Sequence, residues 1–216
     1  MVGLLLKDYY QTFCIRKNLI SFIFGFLLLY GVFFLIPNIY NVMLFVILCV
    51  PMMGVTPLQY ATERDEVSQF DKILLTYPLT KQKIVLCKLI STYLFSVLSI
   101  LTFSLPMIML AVYHFHLFSL NDGLILLMVS SLCSFIVLPI NNISFMLLGN
   151  RKGTIIYIVV TVFFLAAFIT VYFWIGVEKL LLIPVSSWLM GGCLVAVVLN
   201  VFGYSACLKI YERKHR

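Results

Sequence analysis

NLISFIFGFLLLYGVFFLIPNIYNVMLFVILCVPMMGVTPLQYAT, residues 18–62, runs from Lys17 to Glu63 without one charged side chain. A membrane span needs about 20 apolar residues to cross a hydrocarbon core of roughly 30 Å, so this run holds two. The break between them is the turn cluster Pro37-Asn38 with Asn41, which separates residues 19–36 from 42–58. Four further uncharged intervals follow, 89–121, 123–150, 153–177 and 180–208, each long enough for one span. The reading is an all-α, polytopic membrane protein with six transmembrane helices. They lie near 19–36, 41–59, 84–112, 123–148, 154–175 and 183–208, in a single transmembrane domain over residues 1–216.

All but Lys179 of the 15 Lys and Arg residues fall in four segments alternating with those apolar runs. Six spans place these segments, the N-terminus, 61–88, the 150–153 turn and the C-terminal tail, on one side. Short loops rich in Lys and Arg stay cytoplasmic, so both termini are expected in the cytoplasm. The net charge of +7 then reflects topology, and no basic patch beyond membrane-flanking positions calls for nucleic acid. With 63% hydrophobic and 11% charged residues, against about 25% charged in soluble domains, no soluble domain is expected. Stretches outside the bilayer are too short to build their own core, so any nucleotide hydrolysis must come from another chain. Cysteines 14, 49, 87, 133, 193 and 207 form no C-x-x-C pair and read as small apolar residues. The run after Arg16-Lys17 is too long for a signal peptide and lacks a small-x-small site, so the first span is expected to remain.

Two segments between the spans carry pattern. Over residues 3–17, Leu6, Tyr9, Tyr10, Phe13 and Lys17 share one helical side, while Lys7, Asp8, Gln11 and Thr12 point elsewhere. This fits an interfacial amphipathic elbow helix; a disordered basic tail is the alternative. Over residues 62–78, Thr62 and Asp65 resemble a capping box, and Glu63, Asp65 and Glu66 put negative charge at a positive helix end. Val67, Phe70, Leu74 and Tyr77 then form one apolar stripe, and Pro78 ends the helix. Such a helix either lies on lipid or is a lever inserted into a soluble partner, and the acidic cluster favours a protein surface. Lys81 and Lys83 stand at the foot of the third span, and Lys88, about one turn inside it, is expected to snorkel back.

Polar residues within the spans admit two readings, close helix packing or a translocation path. Thr92, Ser96 and Ser99 follow helical spacing on the third span. On the fourth, Pro139 frees a backbone carbonyl that Asn141 and Asn142 stand near enough to satisfy. Gly192, Ala196 and Asn200 recur every fourth residue on the sixth. No carboxylate sits in mid-span, since Asp122 and Glu178 fall at outer ends, which argues against a proton-coupled carrier. His114-x-His116 lacks a third ligand and reads, like Tyr172, Trp174 and Trp188, as interfacial belt. No catalytic residue, cofactor site or metal site emerges: H-E-x-x-H and G-x-S-x-G are absent, and the Gly149 to Thr154 turn lacks the phosphate-loop spacing.

The order of basic-aromatic elbow, two spans and acidic amphipathic loop resembles the permeases of ABC type-2 exporters over the whole chain. The sharper likeness lies in Leu4 to Asp8, and in the run from Asp65-Glu66 through Phe70, Asp71, Leu74-Leu75 and Pro78 to Lys88. The resemblance implies a membrane subunit paired with a separate ABC ATPase, which holds the ATP and Mg, and with a second permease subunit, identical or different, in a bacterial cell membrane. It gives the coupling role to Asp65, Glu66, Val67, Phe70, Asp71, Leu74, Tyr77 and Pro78. It also implies a re-entrant pair between the last two spans, for which Gly176 to Trp188 is too short. The implied cargo is hydrophobic or amphipathic, such as toxic, antimicrobial or phenol-soluble-modulin peptides. A non-transporting scaffold or sensor that recruits a cytoplasmic partner through the same loop is the alternative.

Overall fold

The computed structural model describes residues 2–74, 76–77, 79–170 and 185–214, and its regular structure is helical throughout. The elements are α1 (Val2–Phe13), α2 (Arg16–Leu35), α3 (Ile39–Val67), α4 (Phe70–Leu74), α5 (Lys81–Tyr113), α6 (Leu120–Thr170) and α7 (Val185–Lys214). By length and composition α2, α3, α5, α6 and α7 are candidate membrane spans. Tyr172, Trp174, Glu178, Lys179 and the whole 176–184 stretch lie outside the described residues, as does Pro78.

The α2–α3 connection forms where the turn cluster places it. Asn41 Nδ2 donates to the Ile36 carbonyl at 2.9 Å, and Pro37 and Asn38 carry no regular structure. Beyond the turn, Leu29 and Phe33 of α2 pack on Val42, Phe45 and Val46 of α3, on Met107, Ile108 and Ala111 of α5, and on Leu126 of α6. This apolar cluster holds one end of the bundle.

α6 is a hairpin rather than one rod. Gly149 has φ +76° and ψ −176°, outside helical geometry. A Cβ on Gly153 would stand 3.1 Å from the Phe145 Cα, whereas residues so spaced on a straight helix are about 12 Å apart. Both arms therefore lie against α3: Val137, Leu138 and Phe145 from the first and Tyr157, Val160 and Phe164 from the second pack around Met52, Val55 and Leu58.

The spans are not plain α-helices, and proline explains where they depart. α3 carries a π segment at Phe45–Cys49 and α5 one at Ile100–Ser104. Each ends two residues before a proline, Pro51 and Pro106. Proline offers no N–H to the carbonyl a turn back, and in hydrocarbon a loosened carbonyl needs another donor. Side chains of neighbouring helices meet carbonyls in or beside these segments. The Ser130 hydroxyl donates to Val46 O at 2.7 Å, Tyr30 to Phe103 O at 3.1 Å, and Tyr157 to Met52 O at 3.2 Å. In α6, Pro139 leaves the Phe135 carbonyl without its helical donor, and Asn200 Nδ2 of α7 supplies one at 3.0 Å. The expected donors, Asn141 and Asn142, are used elsewhere: Asn141 Nδ2 bonds Val137 O and Asn142 Nδ2 bonds Thr92 Oγ1, both at 3.1 Å. Gly203 completes the α6–α7 contact, because any Cβ there would strike Pro139.

One local expectation is corrected. Thr62 does not cap a new helix. Its hydroxyl donates back to Leu58 O at 2.8 Å, and α3 runs on without interruption to Val67. The amphipathic helix expected over 62–78 is thus divided: residues 62–67 extend the second span, and only Phe70–Leu74 forms a separate short helix. The reversal falls at Ser68 and Gln69, where Gln69 takes φ +50°. A second departure from the simple pattern, though not a correction, is that α1 is an amphipathic helix with its polar side inward: Asp8 and Thr12 are buried, while Leu6, Tyr9 and Tyr10 are exposed. Aromatic contacts bind α1 and α2 to α5, with Tyr9 stacked on Phe95, Phe13 edge-on to Phe22, and Phe22 edge-on to Phe103.

If Asn200 serves the carbonyl that Pro139 orphans, the two positions are coupled. Asn200→Leu is expected to cost about 1 kcal/mol in thermal unfolding of the detergent-solubilised chain. In a Pro139→Ala background, where a backbone N–H again faces Phe135 O, most of that loss should disappear.

Candidate functional site at the basic end of the bundle

Asp65 lies on the last turn of α3, only 4% exposed. Its Oδ1 is 2.5 Å from Lys7 Nζ of α1 and its Oδ2 is 3.2 Å from Lys88 Nζ of α5. Lys7 also stands 3.3 Å from Asp8 and 4.1 Å from the centre of the Phe70 ring of α4. Two lysines thus face two carboxylates, so the cluster is neutral where water is scarce. Lys88 is accordingly not left to reach for the headgroups as its position in the sequence implied. Clefts flank the cluster: Glu66, Asn142, Tyr211 and Lys214 line one, and Asp8, Thr62, Ser91 and Thr92 the other.

The next residue reaches a different element. Glu66 Oε1 accepts from the Asn150 N–H at 2.7 Å, immediately after the Gly149 break. Asn150 opens the second arm of α6, so the carboxylate caps the positive end of that helix from another part of the chain. Glycine is required at 149 twice over, by its positive φ and because a Cβ would run into Glu66 Oε1. Asp65 and Glu66 together join the end of α3 to α1, to α5 and to the α6 hairpin.

The apolar stripe of the loop is split by this arrangement. Leu74 is 2% exposed, packed with Ile84, Val85 and Leu89 of α5 and with Cys207 and Tyr211 of α7; Phe70 rests against the same cluster. Val67 and Tyr77, 77% and 57% exposed, face outward. The four residues therefore do not present one docking face, because Leu74 is spent on internal packing. The Asp71 side chain and Pro78 lie outside the described part.

The polar residues of the spans lie against neighbouring helices. Thr92, Ser96, Ser99, Asn141 and Asn142 are all buried. Thr92 donates to Leu89 O at 2.8 Å while accepting from Asn142. Ser96 lies so close to Gly54 that a Cβ there would come within 3.2 Å of the Ser96 Cα, which is how α3 and α5 approach each other. Asn200, besides its bond to Phe135 O, is hydrogen-bonded to the Tyr93 hydroxyl. These contacts are those of helix packing.

Asp8 and Asp65 respond differently to substitution. Burial pushes the Asp8 carboxyl above its ordinary 3.8, with Lys7 and the Ser91 hydroxyl pulling the other way. A carboxyl whose folded pKa is raised binds its proton more tightly folded than unfolded, so it costs stability above that pKa and the cost fades as pH falls toward 3.8. Asp8→Asn should therefore match or exceed the parent melting temperature at neutral pH, the difference shrinking on acidification. Asp65→Asn, which removes the carboxylate that Lys7 and Lys88 share, should lose about 3 kcal/mol at neutral pH. Melting curves of both variants across pH check this pair of signs.

The geometry is that of a bundle of long apolar helices whose basic end carries an ion-paired junction and a short helix. No curated protein and no solved structure matches the chain, but residues 3–212 match the family described as ABC-2 family transporter protein. With nearly its whole length covered by that match, the chain belongs to the ABC-2 family of transporter proteins.

Proposed function

We propose that the chain is the permease subunit of an ATP-driven exporter, crossing the membrane six times with both termini in the cytoplasm and carrying no catalytic site of its own. ATP, with its Mg, is bound and hydrolysed by a separate ABC ATPase docked at the basic end, and a second permease subunit completes the pathway. Family membership over residues 3–212 carries this reading. The broken helix α6, whose two arms are each long enough for a span, supports the sixth crossing.

Docking falls to the segment around α4. Val67 and Tyr77 are exposed large apolar residues beside the solvent-facing Arg64, Glu66 and Lys72, a surface that suits a protein groove better than hydrocarbon. Leu74, Phe70 and the Asp65 cluster hold that surface onto the bundle, so displacement of α4 by the ATPase moves α3, α1 and α5 together. A partner shifts such an equilibrium only by binding its two states unequally. The cargo is hydrophobic or amphipathic, since the path candidates Thr92, Ser96, Ser99, Asn141 and Asn142 are buried among helices and the exposed surface of the spans is mostly apolar. The family match leaves the cargo class to be found, and amphipathic peptides are the class we favour.

The test is purification of the tagged chain from its native membrane in mild detergent, with identification of bound subunits and an ATPase assay. Val67→Asp with Tyr77→Asp should keep the chain folded and inserted yet lose at least tenfold of the retained ATPase, an unpaired carboxylate being costly in a docking groove. Leu74→Asp should instead lower the melting temperature of the chain alone. Full retention of the ATPase by the Val67/Tyr77 variant would overturn this docking face, and a wild-type chain that brings down no nucleotide-hydrolysing subunit would overturn the permease reading itself.

A further inference from the structure

Leu147 of the first α6 arm and Lys209, Ile210, Arg213 and Lys214 of α7 line one open groove at the basic end. Leu147, two residues before the Gly149 break, is 58% exposed, and Lys209, Arg213 and Lys214 are exposed as well. Among the described residues none of these three cations is in an ion pair, whereas Lys7 and Lys88 are. Glu212, on the same turn, is not part of the lining. In the helical register 209 with 213 and 210 with 214 form adjacent i,i+4 ridges, while 212 flanks Lys209 on the side away from Lys214.

A groove with a hydrocarbon floor and, at its rim, three cations that form no ion pair among the described residues, set where two spanning helices leave the bilayer, asks for a ligand that is apolar at one end and anionic at the other. A soluble anion would leave Leu147 and Ile210 bare. A zwitterionic lipid would cover them but bring no net charge to the cations. An acidic protein surface would answer the cations and waste the apolar floor. We propose that this groove binds an anionic phospholipid, its phosphate held by Lys209, Arg213 and Lys214 and an acyl chain lying along Leu147 and Ile210. Basic pockets between helices at the membrane surface are where such headgroups are held. The bound lipid would bridge α6 and α7 near the hairpin that Glu66 caps. The assignment is independent of the ATPase partner, and its test uses the permease chain alone.

The experiment is a titration of the full-length, delipidated chain in detergent with phosphatidylglycerol or phosphatidylcholine, reading retained lipid by native mass spectrometry and melting temperature in parallel. The expected result is one tightly retained phosphatidylglycerol with a raised melting temperature. Binding should weaken on the order of a hundredfold in the Lys209→Gln/Arg213→Gln/Lys214→Gln variant, three surface cations being removed, and should stay unchanged in Arg16→Gln/Lys17→Gln. Retained charge should preserve it, so Lys209→Arg/Lys214→Arg is expected to bind as the parent does. Equal retention of phosphatidylcholine, the same stabilisation by inorganic phosphate, or equal losses from the triple variant and from Arg16→Gln/Lys17→Gln would each overturn the proposal. If the triple variant fails to fold, Leu147→Gln/Ile210→Gln removes the floor and must weaken lipid retention; unchanged retention there also overturns it.

Discussion

Asp65 is the constraint around which the basic end of this molecule is arranged. A carboxylate almost out of reach of water costs several kcal/mol to bury unless cations meet it, and two do, from Lys7 and Lys88. Satisfying them draws α1 inward on its polar side and fixes the foot of α5 against the end of α3. Glu66, one residue on, caps the second arm of α6. Four elements distant in sequence thus meet on one turn of helix, and α4 follows two residues later. Force applied at α4 is therefore delivered to a paired, packed junction rather than to a slack loop.

Within the bilayer a second constraint shapes the fold, the demand that each backbone carbonyl find a donor. Prolines at 51, 106 and 139 break that pattern, and π segments precede the first two. Ser130, Tyr30 and Asn200 reach across to carbonyls at these irregular turns. Asn200, which a sequence reading can equally assign to a cargo path, is one of these donors. By contrast α2 and α7 bury only 17% of their most apolar windows, and the second arm of α6 exposes Ile155, Val159 and Phe163, so these helices offer surface to lipid or a second subunit.

Much of this was legible in the sequence because it depends on local composition. Charge-free runs mark spans, Pro37-Asn38 marks the first hairpin, and Gly149 sits inside the expected turn. What was not legible depends on pairing across distance. Thr62 carries a capping pattern, yet the apolar run before it continues the helix, and tertiary continuity overrides a local cap. The stripe from Val67 to Tyr77 has helical spacing, but the reversal at Ser68-Gln69 breaks the register, so Leu74 turns inward while Val67 does not. Lys88 held a usable signal: a lysine a turn inside a span either snorkels or finds a carboxylate, and the acidic residues of its own side are few. Which one it finds, and that Asn200 rather than Asn141 serves Pro139, requires the packed helices.

The central claim is that α4 and its flanks meet an ATPase at the basic end. A photo-crosslinking residue placed singly at Val67, at Tyr77 and, at the opposite end of α5, at Tyr113 tests it in native membranes. The account expects an adduct with an ATP-binding subunit from the first two positions and none from Tyr113. Adducts from Tyr113, or none from Val67 and Tyr77 while the chain remains folded, would contradict it.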